Sequence, residues 1–307
     1  MFRRSKRATR VWLVAAGLVV ARLRVAGCST QPVQAQAGGS AANRGAAQRA
    51  IENKGSDTLV NLALAWAEAY VQVKPEVRLS VTGGGTGTGI AAMLNGTVDI
   101  ANASREIKPE ELKAAKEKGM TPQQFVVAGD AIAIIVHPDN PVQRLTLQQL
   151  SDIYTGKIKN WREIGGENRL IVLLSRESNS GTYVYFLENV VRLGKKSDLL
   201  FSPDTLLMPS SEGISAEVRQ NPNAIGYDGL GYVTSDQKMI AVAKDGKAPH
   251  VLPSKETALD GSYPISRALY MYTPDAPSDE VKAYLDWVRT ERQVMVADLG
   301  FVPLPGK

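Results

Sequence analysis

The sequence predicts an α/β protein. Short runs of branched and aliphatic residues alternate along the chain with amphipathic stretches at helical spacing. Several of these stretches open on small, glycine-containing segments directly after a strand-like run. A length of 307 residues suits one large or two medium domains with a substantial core.

Taken in order, residues 1–10 carry Arg3, Arg4, Lys6, Arg7 and Arg10 and no acid, and Val11 to Ala21 form an uncharged apolar run. Eleven residues are too few to span a bilayer as a helix, so the pattern reads as a secretory signal. Val25-Ala26-Gly27-Cys28 follows and resembles the bacterial lipoprotein signal, in which the cysteine becomes the lipidated first residue; Arg22 and Arg24 depart from that pattern. Residues 28–50, rich in Ala, Gln, Gly and Ser, read as a flexible tether. The chain's net charge is +5, but residues 1–27 hold seven basic residues and no acidic one. The remainder therefore carries −2, and the basic pI is no argument for nucleic acid.

Beyond Ile51, strands are expected at Leu79–Thr82, Ala131–Val136, Leu170–Leu174 and Ala268–Tyr272, all rich in branched or aliphatic residues. Leu59, Leu62, Trp66, Tyr70 and Val73 recur at helical spacing, as do Tyr183, Phe186, Leu187, Val190 and Val191. Thr146–Tyr154 reads as a further helix, capped by Thr146 and stopped by Gly156. A first crossing between lobes is expected near Gly129-Asp130.

Three helix starts suit an oxyanion. Gly55-Ser56-Asp57-Thr58 opens the first; Gly83–Gly89 leads into the second, Ile90–Asn95; Arg176–Thr182 opens the third. The first turn of a helix has unpaired N–H groups and a partial positive charge. Glycine admits close approach, hydroxyls add uncharged donors, and Arg176 adds a fork of charged ones. Each segment alone would serve as an ordinary cap or turn.

Other chemistries lack their residues. From Gly85 and Gly87 the sixth position of a G-x-G-x-x-G pattern is Ile90, and neither a phosphate-loop lysine motif nor a G-x-S-x-G elbow occurs. With Cys28 the only cysteine and His137 and His250 the only histidines, neither a disulfide nor a zinc site is expected. Glu110 and Glu111 lie near Lys113 and Lys116 and read as a solvated helix face.

From about residue 52 onward the sequence resembles the phosphate-binding proteins of bacterial phosphate ABC transporters. The matching blocks are Gly55–Thr58, Gly83–Gly89, Val98–Arg105, Ile153–Trp161, Arg176–Thr182, Asn223–Tyr227 and Tyr263–Arg267. The resemblance implies a type II, two-lobe α/β fold with the ligand cleft between lobes, residues 51–129 plus 262–307 forming one lobe and 130–261 the other. It implies a non-enzyme that binds inorganic phosphate and hands it to a transmembrane permease, without cofactor or metal. Contacts fall on Ser56, Thr58, Thr86, Arg176, Ser180, Gly181 and Thr182, with Ser104 and Arg105 beside them. Where some members carry an aspartate to accept the phosphate proton, Ser104 stands here, followed by Arg105, so Asp57 is the expected acceptor. Sulfate, molybdate or tungstate binding, a phosphate-ester hydrolase and a sensing protein are the alternatives.

Overall fold

The computed structural model describes residues 50–305, so the expected signal peptide, the lipidation site Cys28 and nearly all of the tether lie outside the described residues. The first part of the chain alternates strand and helix: β1 (Ile51–Gly55), α1 (Asp57–Val73), β2 (Leu79–Thr82), α2 (Thr86–Leu94), β3 (Ile100–Ala103) and α3 (Pro109–Glu117). The long strand β4 (Gln123–Val136) leads to β5 (Arg144–Thr146), α4 (Leu147–Tyr154), β6 (Val172–Arg176) and α5 (Gly181–Phe186). Then come β7 (Leu206–Met208), α6 (Ser211–Gln220), β8 (Ala224–Gly229), β9 (Lys238–Ala243) and α7 (Lys255–Leu259). The chain closes with β10 (Ser266–Thr273), α8 (Asp279–Thr290) and α9 (Gln293–Asp298).

The strands follow the order β2-β1-β3-β10-β4-β8-β6-β7, with β9 between β4 and β5. β1 pairs in parallel with β2 and β3, and β6 in parallel with β7 and β8. β4 joins the two parallel sets. Its residues up to Ala131 lie antiparallel to β10, and from Ile132 onward it pairs with β8, then also with β9. Gly129 and Asp130, where a crossing is expected, lie in the middle of one continuous strand.

Each half has helices on both faces. Leu59, Leu62, Trp66 and Tyr70 of α1 pack with Tyr284, Leu285 and Trp287 of α8 over Ile100, Val127 and Leu269. Ile90, Met93 and Leu94 of α2 cover the opposite face with Ala101, Ala103 and Tyr272. In the other half Leu150, Ile153 and Tyr154 pack with Phe186 and Tyr227, while Ile214 and Val218 of α6 cover Ala133, Ile135 and Leu174. The rings of Phe186 and Tyr227 stack 3.7 Å apart. Burying each such large side chain contributes roughly 1.5–3 kcal/mol.

α4 has the expected cap, Thr146 Oγ1 accepting the amide of Gln149 at 3.1 Å. Two helices differ from expectation. α2 begins at Thr86 rather than Ile90, because Gly85, at φ +90°, turns the chain and the next residues enter the helix directly. The helix expected across Tyr183–Val191 narrows to α5, and Leu187–Val191 continue as one wider turn.

Candidate anion-binding site

β1, β2 and β6 each end where a helix begins, and β3 ends in the same place, so four strand ends deliver polar residues to one crevice. At Gly55, φ is +147° and a Cβ would run into the carbonyl oxygen of Asn102. That closeness lets Ser56 N donate to Asn102 O at 2.9 Å and turns the chain into α1. Ser56 occupies the cap position, yet its Oγ caps nothing. It is buried with no partner among the described residues.

The three helix starts converge. Thr58 Oγ1 lies 2.9 Å from Thr182 Oγ1, which joins the start of α1 to that of α5. Thr86 Oγ1, at the start of α2, accepts the amide of Ser104 at 3.1 Å and lies 3.3 Å from Ser104 Oγ. Gly181 fits between them: a Cβ there would stand 2.5 Å from Ser104 Oγ and closer still to Thr86 Oγ1. Ser180 Oγ accepts the amide of Thr182 at 3.1 Å and so orders the first turn of α5. Ser56, Thr58, Thr86, Ser104 and Thr182 are all buried.

Three arginines border this cluster and behave differently. Arg176 donates from Nε to Met208 O, from Nη1 to Ser211 Oγ, and from Nη2 to Pro209 O and Asp57 Oδ2, the last at 2.6 Å. Arg267 lies within the cluster. Its Nη2 donates to Asp130 Oδ2 at 2.8 Å, to Thr182 Oγ1 at 3.0 Å and to Thr58 Oγ1 at 3.3 Å, and its Nη1 holds Ser104 O at 2.9 Å. Arg105 turns away: its two terminal nitrogens reach both oxygens of Glu111, at 2.8 and 2.7 Å. Glu111 is therefore no member of a solvated face. Burial works against its ionised form, but Arg105 and the Lys108 amide hold its carboxyl below the usual range.

The carboxylates divide the same way. Asp57 accepts the Gly84 amide at 2.9 Å through Oδ1 and Arg176 through Oδ2, so the residue expected to accept a ligand proton here braces an arginine. Asp130 is buried; burial pushes its carboxyl up, while Arg267 and the Leu230 amide pull against that. Asp228 is buried as well. Its Oδ2 has no partner among the described residues, and burial pushes its carboxyl up to about 7, Ser211 and Arg176 pulling the other way.

The Asp228 shift has a definite sign in stability. Between its ordinary 3.8 and about 7 the folded state holds a proton that the unfolded chain releases. Its stabilisation is thus present at the acid end of that window and lost as pH rises through it, up to about 4 kcal/mol. Asp228→Asn cannot ionise and should show a correspondingly flatter profile in urea unfolding across that window. A profile matching wild type would mean that Asp228 stays charged.

Further contacts tie the surrounding loops to one another. Gly87 N donates to Asn179 O at 2.9 Å, Asn179 Nδ2 to Gly84 O at 3.0 Å, and the Tyr232 hydroxyl to Asp57 O at 2.6 Å. Of the residues picked out in the sequence, Ser56, Thr58, Thr86, Ser104, Ser180, Gly181 and Thr182 come together; Asp57 and Arg176 pair beside them, and Arg105 is engaged elsewhere. Arg267, Asp130 and Asp228 were not picked out as site residues. Arg267 had a signal, since it ends the Tyr263–Arg267 block, whereas Asp130 figured only as part of the crossing and Asp228 not at all. Among the described residues no group of three or more His, Cys, Asp or Glu side chains could hold a metal ion, and no helix is long and apolar enough to cross a membrane.

A crevice of hydroxyls, helix starts and paired charges between two α/β halves joined by a shared strand defines a two-lobed binding protein. The profile of the PBP superfamily domain matches residues 39–292. The phosphate-binding protein PstS of Pseudomonas aeruginosa is 38% identical over 276 residues, covering 84% of this chain and 84% of that protein. PstS of Bacillus subtilis is 32% identical over 252 residues, covering 81% and 79%. A crystal structure of a putative phosphate ABC transporter substrate-binding protein with bound phosphate, from Clostridium perfringens, superposes with a TM-score of 0.75 at 33% identity, covering 84% of this chain and all of that one. The chain belongs to the PBP superfamily and, within it, to the family of PstS phosphate-binding proteins.

Proposed function

We propose that this protein binds inorganic phosphate outside the cytoplasmic membrane and delivers it to the permease of an ABC importer. The observation that carries this is the meeting of Thr58, Thr86, Ser104 and Thr182 around Gly181, where no side chain fits. Ser56, Ser180 and the amides of the helix starts complete the donor set. Arg176, braced by Asp57, brings charge to the rim through its remaining Nη1 hydrogen. The division expected from the resemblance, residues 51–129 plus 262–307 against 130–261, accords with the exchange of partners along β4.

Many donors around a small tetrahedral anion make a binding site. Charge-assisted hydrogen bonds contribute roughly 1.5–3 kcal/mol each, and micromolar affinity needs about 8 kcal/mol after costs. The relatives carry the names of binding proteins, so binding without turnover is the reading supported. The names of the two relatives, both phosphate-binding protein PstS, support the ligand. The signal-like start and Val25–Cys28 support export and a lipid anchor at Cys28.

Calorimetry with phosphate, sulfate, molybdate and tungstate tests the assignment. Phosphate should bind at micromolar Kd or tighter and the others more weakly; absence of phosphate binding overturns the reading. In the same titration Arg176→Ala should bind phosphate about 100-fold more weakly, about 2.7 kcal/mol. Asp57→Asn should lose less, because Arg176 keeps its contacts with Met208, Pro209 and Ser211. Wild-type affinity in Arg176→Ala would remove that residue from the site.

A further inference from the structure

The side chain of Arg267 is 3% exposed, and its fork faces two ways. One side grips Asp130: Nε at 3.1 Å and Nη2 at 2.8 Å both reach Oδ2, while Oδ1 accepts the Leu230 amide at 3.2 Å. From the other side, Nη2 reaches the two hydroxyls that join the starts of α1 and α5, and those hydroxyls are themselves 2.9 Å apart. Nη2 carries two hydrogens. One is taken by Asp130, and the other is shared between Thr58 and Thr182.

The hydrogen count has a consequence. A threonine hydroxyl owns one proton and two acceptor places. In an isolated pair, one proton lies between the two oxygens, leaving one proton to donate and three places to accept. Once the Arg267 hydrogen fills one place on each oxygen, a single acceptor place remains beside the same free proton. The pair is thereby biased toward donating. The Thr86–Ser104 pair is biased similarly by the Ser104 amide, which fills a place on Thr86 Oγ1.

On the phosphate-binding reading, we infer that Arg267, held by Asp130, is a positioning residue that sets the direction of the Thr58–Thr182 hydroxyls and so favours oxyanion faces without a proton. It acts through the hydroxyls. Its preference is for the phosphate dianion over the monoanion, whose extra O–H would meet a donor. The other titratable or charged groups near the Arg267–Asp130 pair are Tyr185, whose ring centroid lies 5.6 Å from the guanidinium carbon, Asp228 and Tyr263, which both feel the Asp130 charge, and, along an adjoining cleft of about 410 Å³, Arg105, Glu106, Lys108, Glu188 and Tyr270. None of them makes a hydrogen bond to the two hydroxyls.

The test is phosphate affinity measured on both sides of phosphate's second ionisation. The variants are Arg267→Lys and the double Arg267→Gln/Asp130→Asn, which leaves no unpaired buried charge. Wild type should bind more tightly on the alkaline side. The double variant should lose about tenfold of that alkaline-to-acid ratio, beyond any uniform loss. Arg267→Lys, whose ammonium still donates to both oxygens, should keep the ratio within about threefold. Thr182→Val, with Arg267 intact, should reproduce the loss and serves if the double variant does not fold. Equal weakening at both pH values in the double variant, or in Thr182→Val, would reduce Arg267 to a structural role and overturn the inference. Absence of phosphate binding by the wild type would instead sink the function proposed above.

Discussion

Gly181→Ala should abolish phosphate binding while leaving the fold intact. Gly181 is the first residue of α5, directly after the Ser180 cap, and is not among the glycines with positive φ, so alanine suits the backbone. The added methyl would instead fall 2.5 Å from Ser104 Oγ and nearer to Thr86 Oγ1, both buried and hydrogen-bonded to each other's residues. Neither atom ends a flexible side chain that could swing aside. Relief therefore requires α5 to move away from α2 and β3, which dissolves the donor set. We expect at least a 100-fold loss of affinity, about 2.7 kcal/mol, by calorimetry. Unfolding free energy should fall by about 1–3 kcal/mol, as at an overpacked buried site, which leaves the chain folded. Wild-type affinity in this variant would show that the anion sits elsewhere.

The second large effect is on stability. Asp130→Asn removes a carboxylate that is 1% exposed and takes two hydrogen bonds from Arg267. The guanidinium would be left buried without a counter-charge, since Arg267's other acceptors are the two threonine hydroxyls and the Ser104 carbonyl. Breaking a buried pair from one side costs about 3–5 kcal/mol. Urea unfolding should show that loss in Asp130→Asn, and the double variant Arg267→Gln/Asp130→Asn should recover much of it because no lone charge remains. A single-variant loss under about 1 kcal/mol would mean that water reaches the pair.

Local chemistry made much of the fold legible in the sequence. The strand at Leu79–Thr82 and the cap at Thr146 lie where expected, because both are set by residues within a few positions. The expected strand at Leu170–Leu174 lies two residues later, at Val172–Arg176: Leu170 is exposed, and the ladder to β8 begins at Val172. The reach of β4 back to Gln123 was not legible either. Its first residues are polar and exposed, and only pairing with β10 makes them a strand. Among site residues, those within a glycine- and hydroxyl-rich turn announced themselves. Arg267 and Asp130 did not, being 137 positions apart and meeting only where β10 lies against β4.

The sequence by itself determined the alternation of strand and helix, the small hydroxyl-bearing turns and the signal-like start, since each depends on near neighbours in the chain. Tertiary structure alone decided which arginine enters the cluster. Arg105, Arg176 and Arg267 carry the same guanidinium, but Glu111 claims the first, Asp57 and Ser211 hold the second, and Asp130 holds the third within reach of Thr58 and Thr182. A buried cation settles where a carboxylate compensates its lost hydration, and the position of that carboxylate is a property of the folded sheet.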